Sequence, residues 1–230
     1  MKVSAIIVAA GQGSRMGANI SKQYLHLYGK PILAYTLEIF HSISVLNEIV
    51  LVVAEKDRNY CKQKVLRKNQ FYRIKLTNGG KTRQQSVFNG LKTVCPQTDF
   101  VIIHDGVRPF VKKEEVLEVL DAAMKFDAAA LAVPVKDTVK KVNNEGFILS
   151  TLNREKIWAV QTPQVFRYNL IKDAHEKAIQ DGFSATDDCM LVERNGNKVK
   201  IVKGSYENIK ITTPEDIILG EAILDWRLRS

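Results

Sequence analysis

The stretch VSAIIVAAGQGSRMG, residues 3–17, decides the fold class. Val3 to Ala9 is an apolar run without a charge that leads straight into glycines, the pattern of a buried first strand followed by a loop. Similar runs recur at Ile49 to Ala54, Phe100 to Ile103 and Ala128 to Val135. Between them Pro31 to Ile43, Asp57 to Lys68, Thr82 to Val94 and Lys113 to Phe126 have the amphipathic spacing of helices. Pro31 at a first helical position and Thr82 at a cap position are start signals. Strand, helix and strand repeated in this order predict an α/β fold with a mostly parallel sheet and helices on both faces.

The alternation breaks after Pro134. From Val135 to Gln161 two β-rich runs flank Asn143-Asn144-Glu145-Gly146, a turn composition, so this segment is predicted to be a hairpin. A lone two-stranded hairpin is marginal in water. An arm carrying Val139, Val142, Phe147, Ile148 and Leu149 should therefore pack on something, with a second subunit as one option. Further helices are predicted at Asn169 to Asp181 and Thr186 to Arg194, and strands at Val199 to Val202 and Ile209 to Thr212. A last helix is opened by Thr213-Pro214-Glu215-Asp216, with a capping threonine, proline at the first position and acids in the first turn. No repeat or linker divides residues 1–230, which predicts a single domain with a β-arm at about 135–160.

Composition narrows the class further. A chain of 230 residues, 45% hydrophobic and 26% charged, fits an ordinary globular protein and can bury roughly 70–75% of its unfolded surface. Cys61, Cys95 and Cys189 are odd in number and lack C-x-x-C spacing, which argues against a disulfide framework and a zinc site. The N-terminus does not read as a signal peptide, and no stretch approaches the roughly 20 apolar residues of a membrane span. The expected compartment is the cytoplasm, with no membrane partner. The net charge of +9 invites phosphate-bearing partners. Lys62, Lys64, Arg67 and Lys68, however, read as the solvated face of a surface helix.

Three sets of residues could carry chemistry. The loop after the first strand, Ala9-Ala10-Gly11-Gln12-Gly13-Ser14-Arg15-Met16-Gly17, lets backbone N–H groups approach an anion. It is neither the dinucleotide fingerprint nor the Walker loop, because Met16 stands where each needs glycine. It is a glycine loop with its own cations, Arg15 and Lys22, or else a tight turn without a ligand. The second set, His104-Asp105-Gly106-Val107-Arg108-Pro109, lies at a strand's carboxyl end. There a carboxylate is well placed for Mg²⁺ bound to substrate phosphates, or for capping the next turn. His104 is taken as structural. The third, Gly79-Gly80-Lys81-Thr82-Arg83-Gln84-Gln85-Ser86, is a glycine pair before a helix start. Alone it describes any capped loop; with the first it could frame a base and its phosphates.

These segments occur in one order: A-A-G-x-G-x-R-M from Ala9, K-Q-Y from Lys22, G-K-P-I-L from Gly29 and G-G-x-x-R-x-x-S-V from Gly79. H-D-x-x-R-P from His104, V-x-D-T-V-K from Val135, Q-T-P-Q-x-F from Gln161 and N-I-K-I-T-x-P-E-D from Asn208 follow. In this the chain resembles the 2-C-methyl-D-erythritol 4-phosphate cytidylyltransferases of the non-mevalonate isoprenoid pathway, from Ala5 to about Leu224. The resemblance implies a Rossmann-like nucleotidyltransferase fold, a requirement for CTP and Mg²⁺, and a homodimer whose hairpin arms embrace. Carried over by position, Ala9, Ala10, Gly11, Gly13, Gly80, Ser86 and Asp105 match the nucleotide pocket, and Arg15 and Lys22 hold the triphosphate. Asp105, Gly106, Thr138, Arg154, Thr186 and Lys210 match the methylerythritol phosphate pocket, with Thr138 and Arg154 on the partner's arm. Arg15, Lys22, Arg154 and Lys210 are the implied catalytic residues, and Asp105 the metal ligand. Lys81 and Asn153 depart from the family pattern, each standing where an acid is common.

The chemistry needs no general base, because a phosphate dianion is already a nucleophile. Positioning and neutralising two polyanions is most of the task. Within the same class, a ribitol-5-phosphate cytidylyltransferase would share the loop, Asp105 and the Q-T-P-Q segment. Lys136 to Lys140 and the surroundings of Arg154 favour methylerythritol phosphate. A basic RNA-binding protein would call for aromatic stacking positions interleaved with its cations; the sequence shows no RNP-like or K-homology signature and that reading leaves the glycine loops unexplained, so no nucleic-acid partner is expected.

Overall fold

In the computed structural model, which describes residues 1–11, 21–71 and 74–229, the opening apolar run is strand β1 (Val3–Ala9). It pairs in parallel with β4 (Leu46–Val53) on one side and with β6 (Phe100–Asp105) on the other. Its side chains alternate between two cores. Val3, Ala5, Ile7 and Ala9 join one cluster, with Leu33, Leu37 and Phe40 of α1 (Ile32–His41) and Val116, Val119 and Leu120 of α4 (Lys113–Phe126). Ile6 joins the other, against Val87 and Leu91 of α3 (Arg83–Thr93), Ile171 and Ala174 of α5 (Tyr168–Gln180), and Leu191 and Val192 of α6 (Asp188–Arg194). A strand buried on both faces is what an uncharged run can support and an alternating one cannot.

The sheet has seven strands in the order β11-β7-β10-β6-β1-β4-β5, where β5 is Ile74–Asn78, β7 Ala128–Pro134, β10 Trp158–Arg167 and β11 Lys200–Lys203. Only β10 runs against its neighbours. The expected mostly parallel sheet with helices on both faces is therefore present. Both edge strands carry lysines, Lys75 on β5 and Lys200 and Lys203 on β11, and charge along an exposed edge discourages pairing with another chain.

Local signals set the helix starts. Thr82 Oγ1 accepts from Gln85 N at 3.1 Å at the head of α3. Asp216 accepts from the backbone N–H groups of Thr212 and Thr213, at 2.8 and 2.9 Å, at the head of α7 (Pro214–Arg229). Such caps satisfy donors that the helix leaves unpaired. Pro31 is displaced by one position from its expected place. It is extended and lies in the two-residue pairing of β2 (His26–Leu27) with β3 (Lys30–Pro31), and Ile32 begins the helix. The predicted basic helix is a 3₁₀ turn, Glu55–Asp57, then α2 (Arg58–Tyr60) and a π-helical segment, Cys61–Arg67. Cys61, Val65 and Leu66 are buried there, while Lys62, Lys64, Arg67 and Lys68 face solvent.

Two expectations are corrected. Ile209 to Thr212 is not a strand: Ile211 is buried beside Phe110 and Leu27, and its N–H bonds to Val107 O at 2.9 Å without forming a ladder. The alternation reflects burial of Ile211 and the turning of Lys210 toward Asp105. Strand β10 takes in Trp158 to Gln161, expected to end the hairpin segment, and continues through Thr162 to Phe166, for which no element was predicted. Pro163 is tolerated there because the register with β7 shifts between Val160 and Gln164. The hairpin itself is present as β8 (Lys140–Val142) and β9 (Ile148–Thr151). Its turn is closed by Gly146 at φ +88°, a left-handed position suited to glycine, and by Asn143 Oδ1 accepting from Glu145 N and Phe147 N.

Candidate active site

The carboxyl ends of β1 and β6, the loop before α3 and two lysine-bearing turns enclose a cleft of about 500 Å³. Ala9, Ala10 and Gly11 of the first loop line it together with Gly80, Lys81, Thr82, Arg83 and Ser86 of the second. Lys22, Asp105 and Lys210 also line it. This is where an open parallel sheet offers a ligand site. The loops approach closely: a Cβ on Gly79 would lie 2.3 Å from Ala10 Cβ and 3.0 Å from Ser86 Oγ. Ser86 keeps the second loop in shape, its hydroxyl accepting from Gly80 N at 3.0 Å and donating to Thr82 O at 2.9 Å. Gln23, buried beside Lys22, donates from Nε2 to Ala9 O at 2.8 Å and so ties the K-Q-Y turn to the end of β1.

Asp105 is the electrostatic centre. Its Oδ1 accepts from Arg83 Nε at 3.0 Å, and its Oδ2 pairs with Lys210 Nζ at 2.6 Å. Burial opposes its charge, but Arg83 and Lys210 outweigh burial and hold the carboxyl well below the usual carboxylate range. Its backbone N–H donates to Thr162 Oγ1 at 3.0 Å, so β10 fixes the strand end from which the carboxylate projects. Arg83 continues to Asp188, Nη1 to Oδ2 at 2.7 Å. Burial disfavours its charge, and the two carboxylates reverse this and raise its pKa. His104 is structural, as expected. It is fully buried between Arg108 O and Thr162 Oγ1, at 3.1 Å each, and burial pushes its pKa down to about 4.

Of the residues expected in the site, the structure brings together Ala9, Ala10, Gly11, Lys22, Gly80, Ser86, Asp105 and Lys210. Gly13 and Arg15 lie outside the described residues. Gly106 is buried behind the cleft, its N–H on Val8 O at 2.8 Å, where a Cβ would meet Leu33, Ala9 and Val8. Thr138, Arg154 and Thr186 are exposed and do not line the cleft of their own chain. Arg154 Nη1 donates to Lys136 O at 3.1 Å. Asn153 caps the turn that carries Arg154, its Oδ1 accepting from Glu155 N at 3.1 Å, a role an aspartate would fill equally. Sequence reasoning did not assign Arg83 or Gln23. Both stand in motifs it quoted, but only the fold shows what they touch.

Glycine-bearing loops at the carboxyl end of a mostly parallel sheet, with cations gathered around one carboxylate, suit a phosphate-bearing ligand, and likeness to known proteins makes the class a nucleotidyltransferase. The model of the 2-C-methyl-D-erythritol 4-phosphate cytidylyltransferase family matches residues 3–226, and the chain belongs to that family. A relative of that name from Desulforamulus reducens is 50% identical over 226 residues, covering 98% of this chain and 97% of its own. The solved 4-diphosphocytidyl-2C-methyl-D-erythritol synthase of Anaerococcus prevotii superposes with a TM-score of 0.88 at 39% identity, covering 97% of this chain and 96% of that one. The cytidylyltransferase structure from Thermus thermophilus gives 0.81 at 32% identity, over 98% and 100%.

Proposed function

We propose that the chain transfers CMP from CTP to 2-C-methyl-D-erythritol 4-phosphate, giving 4-diphosphocytidyl-2-C-methyl-D-erythritol and pyrophosphate in the cytoplasm. The observation that carries this reading is the cleft itself, in a chain that belongs to the family. Lys22, Arg83, Asp105 and Lys210 all line it, with Asp105 paired to both Arg83 and Lys210. One oxygen of the incoming phosphate attacks the α-phosphorus of CTP in line, and the bond to the β-phosphate oxygen breaks as pyrophosphate leaves. Lys22, with Arg15, stabilises charge on the α-phosphate and leaving group. Lys210, with Arg154, aims the nucleophile. Ala9 to Gly11 and Gly80 give the base and phosphates a wall that side chains would otherwise fill.

Asp105 brings one hard oxygen ligand group to the cleft, and because Arg83 and Lys210 engage its two oxygens it fits only a Mg²⁺ held mainly by substrate phosphates, which it would reach once Lys210 turns to a phosphate. Asp105 would hold the ion, which when bound neutralises charge on the triphosphate. The exposed apolar side chains of the arm support a homodimer. Val142, Phe147, Ile148 and Leu149 are each more than half exposed, at 52–67%, more apolar surface than one short hairpin leaves in water. In such a dimer Thr138 and Arg154 of one arm complete the substrate pocket of the other chain. Cytoplasmic residence is supported by three cysteines without disulfides. Incubation with CTP, Mg²⁺ and methylerythritol phosphate, followed by ³¹P NMR, tests the reading. A new pair of diphosphodiester resonances is expected, and inorganic phosphate as the only new species would refute it.

A further inference from the structure

Behind the cleft Lys210, Asp105, Arg83 and Asp188 form an alternating chain of charges, which ends on the His175 imidazole. The links are 2.6, 3.0, 2.7 and 3.1 Å. Asp188 and His175 are almost fully buried, with side-chain exposures of 1% and 0%, and neither lines the cleft. Arg83 uses two different edges of its planar group, Nε toward Asp105 and Nη1 toward Asp188. Two such anchors fix the orientation of the guanidinium as well as its place.

Asp188 is itself held from three sides. His175 Nε2 meets its Oδ1, Arg83 its Oδ2, and its backbone N–H donates to Gln164 Oε1 at 3.2 Å. Gln164 Nε2 also binds Asp187 Oδ2 at 2.9 Å, which pins the start of α6 to β10. A buried ion pair contributes uncertain net stability, because desolvation cancels much of its attraction. Its consequence here is geometric. Asp105 has cations on both oxygens, and Lys210 can leave for a phosphate only if the other cation keeps the carboxylate in place.

We infer that Asp188, which does not reach the cleft, is a positioning residue for the transfer, acting through Arg83 to fix Asp105 and hence the resting place of Lys210. The inference rests on the proposed function for the reaction it serves, and on the ion-pair geometry alone for the strut.

The test compares Asp188→Asn, Arg83→Lys and the double variant. Lysine cannot span both carboxylates, and it keeps the charge should asparagine at the buried site impair folding. Turnover with CTP and methylerythritol phosphate is expected to fall about 10- to 100-fold in each single variant, the scale of a small misplacement. KM for CTP should stay within about twofold, and the double variant should lose no more than the worse single one. Near-native turnover with only a lowered melting temperature would overturn the inference, as would losses that multiply in the double variant. A wild-type chain that releases no pyrophosphate would refute the proposed function instead. The strut is then judged on the unliganded protein, by exchange of the Arg83 Nε–H with solvent in ¹⁵N NMR. Slow exchange in wild type and fast exchange in Asp188→Asn supports it, and equal exchange overturns it.

Discussion

Replacing Arg83 with methionine removes a side chain that touches both Asp105 and Asp188, whose own side chains are only 9% and 1% exposed. Lys210 still faces the first carboxylate and His175 the second, so each loses part of its compensation. Breaking a buried pair by removing one partner costs about 3–5 kcal/mol, a large share of the roughly 5–15 kcal/mol that holds a domain folded. For a chain of this size that corresponds to a melting temperature lower by about 6–20 °C at pH 7. The pH dependence has a defined sign. Burial opposes ionisation of both carboxyls, but Arg83 leads the charges that outweigh it, so both ionise more readily folded than unfolded. Their contribution is present in full above the unfolded value near about 3.9 and is lost as the pH falls through the lower folded values. The gap between wild type and variant should therefore narrow as pH drops below about 4. Thermal unfolding by circular dichroism from pH 7 to pH 3 measures it. A loss under about 2 °C at pH 7, or a gap that widens in acid, would refute the reasoning.

Lys22→Ala should lower turnover about 10²–10³-fold, by analogy with loss of an oxyanion donor; a change confined to KM for CTP, measured by steady-state kinetics, would show that Lys22 only binds. Deleting residues 139–152 should give an inactive monomer by light scattering and pyrophosphate assay, whereas an active monomer would show that the arm contributes nothing to the site. Gly79→Ala sets a methyl against Ala10 and Ser86; overpacking costs about 1–3 kcal/mol, or roughly 5- to 160-fold if it falls wholly on CTP affinity, and unchanged titration calorimetry would contradict so tight a loop.

Much of the scaffold was legible because its signals are local. The uncharged run Val3 to Ala9 and the bounds of α4, Lys113–Phe126, follow from apolar runs and periodicity. Strand β10 escaped because Gln161, Thr162, Pro163 and Gln164 do not look like sheet interior. Only in the folded chain do Gln161 and Gln164 find Ser205 and Asp187. Ile209 to Thr212 misled for the converse reason, since alternation records which side chains are buried and not whether a neighbouring strand is present. In the site, glycines and Asp105 stood out by type and place. The role of Arg83 depends on a carboxylate 105 residues away, which no local pattern reports. Thr138, Arg154 and Thr186 were reached only through the family resemblance, and nothing in one chain places them in the cleft.

The most direct test of the central claim is the ratio of kcat/KM for methylerythritol phosphate to that for ribitol 5-phosphate, measured with CTP and Mg²⁺ by pyrophosphate release. Both substrates present a phosphate on a short polyol, so the cations alone cannot separate them. One misfit methyl is worth only about 1–3 kcal/mol, but an unmatched buried polar group costs a site more. The account predicts a ratio of at least about 10² in favour of methylerythritol phosphate. A ratio of one or below would contradict it.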